Sequence, residues 1–153
     1  MITDEQIKRL DEILLLVRGA TGWSAQEFGD RIGVTRQTIN NLETHRRDCH
    51  LTKIQYIAIR SVLDEEIETH PEDTEMLRVI LDAFVDHPEN YTDEEKMEMY
   101  KKARMLSPSI MNKSCSRGEI SEEWKKSVLL ALGVVLAPHL TAAIAIVEVN
   151  KKK

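Results

Sequence analysis

Four segments of the chain begin with Ser or Thr followed three residues later by Gln or Glu, namely Thr3-Asp4-Glu5-Gln6, Ser24-Ala25-Gln26-Glu27, Thr52-Lys53-Ile54-Gln55 and Thr92-Asp93-Glu94-Glu95. This spacing is typical of a helix N-terminus, because the two side chains exchange hydrogen bonds with backbone N–H groups that otherwise lack partners. Only 6 Gly and 4 Pro interrupt the 153 residues, and an aromatic content of 5% gives little support to a β-sheet. The sequence therefore predicts an all-α fold.

The first third of the chain divides into four predicted helices. The first begins after Thr3 and ends before Gly19, with an inward stripe of Ile7, Leu10, Ile13, Leu14 and Val17. The second runs from Ser24 to Ile32 and ends at Gly33, and the third runs from Thr35 to about Thr44. The fourth follows Thr52 and carries Ile54, Ile57, Ala58, Val62 and Leu63.

Two His-Pro-Glu sequences, at 70–72 and 87–89, mark breaks further along the chain. We interpret them as similar helix starts with Pro at the first helical position. The helix after the first break has an apolar face of Met76, Leu77, Ile80, Leu81 and Phe84, and the helix after Thr92 extends to about Leu106. Pro108 and the stretch 112–118 predict a polar loop. These boundaries suggest three regions: 1–67, 68–118 and 119–153.

The segment 128–147 contains no charged residue and is flanked by lysines. Its length and apolarity suit a membrane anchor that tethers the protein to the cytoplasmic face of the membrane. Pro138 and His139 in its middle suit the alternative, two short helices (122–137 and 139–149) buried in a dimer interface. The sequence leaves both interpretations open.

Charge is distributed unevenly along the chain. The formal net charge is −5, which disfavours indiscriminate coating of DNA. Between residues 31 and 60, however, the basic residues outnumber Glu43 and Asp48; they are Arg31, Arg36, Arg46, Arg47, Lys53 and Arg60. A local basic patch in an acidic chain predicts contact with phosphates at one place.

Metal and catalytic sites are not expected from the sequence. His45, Cys49 and His50 lie close together, but no fourth ligand follows at a zinc-like spacing, so we predict no metal site and no cofactor. Cys49 and Cys115 are expected to be reduced thiols in a cytoplasmic protein, since Met1 is followed by a polar segment rather than a signal peptide. No nucleophile–base or phosphate-loop arrangement occurs, and we predict no enzyme activity and no catalytic residue.

The segment 23–43 reads Trp-Ser-Ala-Gln-Glu-Phe-Gly-Asp-Arg-Ile-Gly-Val-Thr-Arg-Gln-Thr-Ile-Asn-Asn-Leu-Glu. With the helix after Thr52, it resembles the Cro/C1-type (XRE) helix-turn-helix family over residues 23–63, with residues 3–18 as its first helix. The matching features are Gly33-Val34-Thr35 at the turn, Ile39 within the second helix and Glu43 at its end. The resemblance implies an N-terminal domain of four to five helices, similar to lambda repressor, followed by a helical C-terminal region. It also implies that Glu43 pairs with Arg18.

The resemblance implies that the helix after Thr35 lies in the major groove of double-stranded DNA. Arg36, Gln37 and Asn41 would then read base edges, because Arg suits guanine and Gln or Asn suits adenine. The phosphate contacts expected from position are those of Gln26, Thr35, Thr38, Asn40, Arg46 and Arg47. The expected function is a bacterial or phage transcriptional regulator, most simply a repressor that binds a pseudo-palindromic operator as a homodimer.

Two departures from the family pattern concern the DNA contacts. The family has Gln at the second position of its second helix, where this chain has Ala25 with Gln26 beside it. The family's Gly and Pro after the recognition helix are replaced by His45 and Cys49, which predicts a remodelled loop. The alternative function is an antitoxin-like protein that autoregulates its operon while its C-terminal region binds a protein partner.

Overall fold

The computed structural model describes residues 1–132 and contains eight α-helices and no β-strand in that range. The helices are α1 (Asp4–Glu12), α2 (Leu14–Thr21), α3 (Ala25–Ile32), α4 (Arg36–Thr44), α5 (Lys53–Thr69), α6 (Glu75–Leu81), α7 (Asp93–Met111) and α8 (Arg117–Leu132). A 3₁₀ turn, Arg46–Asp48, follows α4, and a π-helical turn, Asp82–Asp86, extends α6 before a second 3₁₀ turn, Pro88–Asn90. The all-α prediction is confirmed for this part of the chain.

The predicted helix starts arise from side-chain caps. Thr3, Ser24 and Thr52 each form a reciprocal capping box, and Thr92 accepts a hydrogen bond from the backbone N–H of Glu95. A further box opens α8: Ser116 Oγ accepts from the N–H of Glu119, and Glu119 Oε2 accepts from the N–H of Ser116. The last described helix therefore begins at Arg117, before the position 122 expected from apolarity alone.

The prediction of one continuous first helix ending before Gly19 is wrong. The chain breaks at Ile13, whose φ of −118° and ψ of 18° are not helical, and α2 then continues through Gly19 to Gly22. The two helices have different neighbours: α1 packs on α5 and the π-helical turn, whereas α2 packs on α6 and α7. Seven of the eight α2 residues are buried as a result.

Gly19 and Pro108 both lie inside helices, contrary to the prediction. Pro108 lies inside α7, which continues to Met111 instead of ending at about Leu106. This part of α7 crosses α2 at the glycines: a Cβ on Gly19 would lie 2.9 Å from Ser107 Cβ, and one on Gly22 would lie 2.6 Å from a methyl group of Ile110. Packing against α2 therefore keeps the last turn of α7 helical despite the missing proline N–H.

The first His-Pro-Glu sequence does not start a helix, because residues 71–73 form a turn and α6 begins at Glu75. Pro88 does occupy the first position of a 3₁₀ turn, as predicted. On α5 the buried face consists of Tyr56, Ile59 and Leu63. Ile54 and Ile57, which the pattern grouped with Leu63, are 80% and 44% exposed.

One hydrophobic core extends through the described residues from Leu10 in α1 to Val128 in α8. Residues 68–118 contribute a large part of it, including the fully buried Leu77, Ile80 and Met99. Within residues 1–132, no helix has both the length and the apolarity needed to cross a membrane. A membrane anchor or a dimer interface was predicted for the segment 128–147. Only residues 128–132 of this segment are among the described residues.

Candidate nucleic-acid interface

Helices α3 and α4 pack against each other through a small apolar contact. Phe28 on α3 and Ile39 and Leu42 on α4 are fully buried, and Trp23 packs beside Phe28 with ring centroids 6.1 Å apart. Helices of eight and nine residues are marginal alone, so this contact holds them in place together with α5, which packs on α3, and with α1 and α2, which pack on α4. The rest of α4 is free to present polar side chains.

The turn between the two helices requires two glycines. Gly33 has a φ of 82°, a left-handed conformation that glycine adopts without steric cost. The Gly29 carbonyl accepts hydrogen bonds from the N–H groups of both Gly33 and Val34, each at 2.9 Å. A Cβ on Gly29 would lie 2.6 Å from the Val34 carbonyl oxygen, so the turn can cross α3 only over a glycine.

An ion pair beneath α4 fixes its C-terminal end. Arg18 donates to both carboxylate oxygens of Glu43, from Nε at 2.7 Å and from Nη2 at 3.1 Å, and its Nη1 donates to the Trp23 carbonyl at 3.0 Å. The two side chains are only 9% and 4% exposed. The pair implied by the family resemblance is thus present, and it joins α2, α4 and the start of the α3 segment.

The outer face of α4 is polar and open. Arg36 and Gln37 are exposed, and Asn40 and Asn41 are partly exposed one turn later on the same side. Gln37 Nε2 donates to Asn41 Oδ1 at 2.9 Å, so these two amides lie next to each other. The base-reading residues proposed from the sequence therefore share one helix face and are not covered by other described helices.

A shallow concavity of about 520 Å³ lies between α3 and the start of α4. It brings together most of the predicted contact residues, and its lining consists of Gln26, Asp30, Val34, Thr35, Arg36, Gln37 and Asn40. Gln26 Nε2 donates to Asp30 Oδ1 at 2.9 Å. Thr35 caps α4 through the N–H of Thr38, and the two threonine hydroxyls are 2.9 Å apart. Asp30, which the sequence analysis passed over, places an acidic group in this surface.

Free positive charge concentrates at both ends of α4. Arg36, at its start, and Arg46 and Arg47, just after its end, are exposed and form no ion pair among the described residues. Two other members of the predicted basic patch already contact neighbouring side chains. Arg60 binds Asp86 at 2.6 and 2.9 Å, and Arg31 lies 4.0 Å from the centre of the Trp23 ring. The basic surface is therefore smaller than the sequence suggested and centred on α4.

The loop after α4 has an unusual backbone. His45, Arg47 and Asp48 have φ values of 53°, 54° and 59°, a left-handed region that side chains other than glycine seldom adopt. His45 ends α4, where its N–H donates to the Asn41 carbonyl. Hydrogen bonds to Asp11 and then to Asp48 raise the pKa of His50 at the far end of the loop. This conformation directs Arg46 and Arg47 away from the protein body, since both are exposed.

Comparison of the chain with known protein families, curated proteins and solved structures found no match.

Proposed function

We propose that this chain is a sequence-specific DNA-binding regulator of the Cro/C1 helix-turn-helix type, acting in the cytoplasm most simply as a repressor. The observation that carries the proposal is the outer face of α4, where Arg36, Gln37 and Asn41 are accessible on a helix seated over a buried scaffold. The wide groove of B-DNA admits an α-helix, and these side-chain types form paired hydrogen bonds with guanine and adenine edges. The proposal is for a binding protein, not an enzyme.

The polar groups around α4 divide into two roles. Gln37, in the first turn of α4, and Asn41, one turn later, lie on the outer face and would read bases, together with Arg36. Gln26, Thr35 and Asn40 line the concavity at the start of α4, and the Thr38 hydroxyl lies beside that of Thr35. Arg46 and Arg47 follow the end of α4. These flanking groups would contact phosphates and fix the position of α4 on the duplex without reading sequence.

A homodimer is part of the proposal. One module makes too few base contacts for operator specificity, whereas two copies place their recognition helices about 34 Å apart, one DNA turn. Ile54 and Ile57, one turn apart and exposed on α5, give the described part of the chain an apolar face that a second copy would cover.

Selection of bound sequences from a random pool of DNA duplexes, using the full chain, tests the proposal directly. We expect enrichment of a pseudo-palindrome with two half-sites. Gln37→Ala should then lower affinity by about 1–3 kcal/mol at one base position and relax its preference. Arg46→Ala should weaken specific and random duplexes alike and reduce the salt dependence by about one phosphate contact.

Lys101→Ala provides the matched control, because it removes one exposed positive charge from α7, which does not pack on α4. It should leave both affinity and sequence preference unchanged. Arg47→Asn is preferable to Arg47→Ala for testing the second loop arginine, since Asn tolerates the left-handed backbone at this position. A pool that shows no enrichment, or equal losses on specific and random duplexes for Gln37→Ala, would contradict the proposed base reading.

A further inference from the structure

Three side chains with metal-ligating atoms meet beside the loop that follows α4. Asp11 comes from α1, His45 ends α4, and His50 precedes α5. Asp11 Oδ2 lies 3.0 Å from His45 Nε2 and 2.7 Å from His50 Nδ1, and the three ligand atoms are all within 4.8 Å of one another. The sequence pattern had suggested Cys49 as the companion of the two histidines. The fold brings in Asp11 instead, 39 positions before His50.

The donor set suits a divalent transition metal ion. Two imidazole nitrogens and one carboxylate oxygen are ligands of Zn²⁺, which binds them at about 2.0–2.2 Å. Tetrahedral ligand atoms at such bond lengths lie about 3.3 Å apart. The distances from Asp11 Oδ2 to His45 Nε2 and His50 Nδ1, 3.0 and 2.7 Å, are a few tenths of an ångström shorter. Small side-chain rotations would therefore admit an ion. Three protein ligands leave the fourth position to water or to another ligand.

The surroundings of the three side chains hold them in orientations that suit ligation. Asp11 Oδ1 accepts the backbone N–H of Leu51 at 2.9 Å, which leaves Oδ2 directed at the histidines. His50 Nε2 lies 2.9 Å from Asp48 Oδ1, and a carboxylate at this ring nitrogen would hold its proton when Nδ1 gives up its own proton to bind an ion. Metal-ligating histidines are commonly supported in this way.

His45 Nε2 faces the same carboxylate oxygen. The atom is buried and lies 3.0 Å from Asp11 Oδ2, but this contact does not have the geometry of a hydrogen bond. Buried polar atoms are nearly always well paired, and an ion between these two atoms would give His45 a better partner. Coordination of a metal by the Nε2 lone pair satisfies this atom and neutralises the partly buried charge of Asp11.

We infer that Asp11, His45 and His50 form a binding site for a borderline divalent transition metal ion, with Zn²⁺ as the probe. The ion would fasten the loop carrying Arg46 and Arg47 to α1 and stabilise its left-handed backbone. Metal binding is independent of the proposed function. Its consequence, a metal-dependent DNA affinity, rests on that function.

The experiment titrates untagged, chelator-treated full chain with Zn²⁺ in a calorimeter, with Mg²⁺ as the hard-cation control. We expect one Zn²⁺ per chain, no Mg²⁺ binding and a melting temperature raised by Zn²⁺. Asp11→Asn, His45→Asn and His50→Gln should each weaken Zn²⁺ binding at least tenfold. Asp11→Asn keeps the acceptor for Leu51, and His45→Asn tolerates the left-handed backbone, so both should fold without metal.

Two control histidines make the result decisive. His87→Asn changes an exposed histidine outside the site, and His70→Asn tests a second cluster formed with Glu72 and Asp73. Neither should alter Zn²⁺ affinity. Wild-type chain that does not bind Zn²⁺, unchanged binding in the three site variants, or loss of binding in His70→Asn would each overturn the site. The first of these outcomes would leave Asp11 as a partner of the two histidine side chains only.

DNA binding is measured separately, with and without Zn²⁺. If Zn²⁺ binds at the site but DNA affinity does not change, the metal site stands and its coupling to the loop fails. If no duplex binds in either condition, the proposed function fails while the calorimetric result is unaffected.

Discussion

Replacement of Glu43 by Ala would leave the Arg18 guanidinium in a site where it is 9% exposed and has lost both bonds to the carboxylate. Hydrogen bonds to charged groups contribute about 1.5–3 kcal/mol each, so two of them correspond to about 3–6 kcal/mol. Removal of one partner from a buried ion pair typically costs about 3–5 kcal/mol, which agrees with this range. The remaining bond from Arg18 to the Trp23 carbonyl reduces the loss only slightly. We therefore expect the free energy of unfolding to fall by about 3–5 kcal/mol.

Urea denaturation followed by circular dichroism measures this loss. For a chain of this size, about 3–5 kcal/mol lowers the melting temperature by roughly 6–20 °C. The slope of the urea transition should not change, which would show that the native state has lost stability and that the denatured state is unaltered. Glu72→Ala is the control, because that carboxylate is exposed and lies 3.9 Å from its histidine partner. Its transition should match that of the wild type.

A double-mutant cycle separates the pair from its surroundings. Arg18→Met combined with Glu43→Leu removes both charges and keeps the site filled, so the double variant should be more stable than Glu43→Ala. A fall of less than about 1 kcal/mol in the free energy of unfolding of Glu43→Ala would refute the reasoning, since an unpaired buried guanidinium should destabilise the protein by more than that. Equal stability of the double and single variants would also contradict it.

Two further predictions concern the turn and the buried tyrosines. Gly29→Ala should destabilise the protein by about 1–3 kcal/mol, because its Cβ would lie 2.6 Å from the Val34 carbonyl oxygen. This loss is expected although Ala is the better helix former. Thermal melting measures the loss, and a stabilised variant would disprove the close contact. Burial, and then the hydrogen bond from the Tyr91 hydroxyl to Asp82, raise the pKa of Tyr91 above its ordinary value of 10.0, and burial raises that of Tyr56 as well. The folded state therefore holds these protons more tightly, and stability present below pH 10.0 should be lost as the pH rises through the folded-state pKa. Tyr91→Phe should make this alkaline decline shallower in urea titrations, and an identical pH dependence would exclude Tyr91 as its source.

Local sequence signals predicted the helix boundaries best where the partner atoms are three or four residues away. Thr3, Ser24 and Thr52 bond to the backbone of their own helices, and Gly33 ends α3 by its own conformational freedom. These interactions do not depend on the remainder of the molecule, so their residue types specify them directly. The candidate DNA-contacting residues on α4 shared a face for the same reason, since helical spacing alone places Gln37 beside Asn41.

Errors occurred where a distant contact overrides local preference. Ile54 and Ile57 were placed on the apolar face of α5 by their type, yet the core selects Tyr56, Ile59 and Leu63. Pro108 was expected to end α7, yet packing of Ser107 on Gly19 keeps that turn helical. Arg60 was counted with the basic patch until Asp86, 26 positions later, was found to neutralise it.

The sequence by itself determined that the chain is helical through its described part, where α1, α3, α4, α5 and α7 start, and which face of α4 is polar. These properties depend on hydrogen bonds and spacings within a single helix. Only the tertiary structure decided which of the basic residues remain unpaired, which atom lies against Gly29, and that Asp11 meets His45 and His50. Each of these depends on atoms far apart along the chain, whose approach is set by the packing of the whole core and leaves no periodic pattern in the sequence.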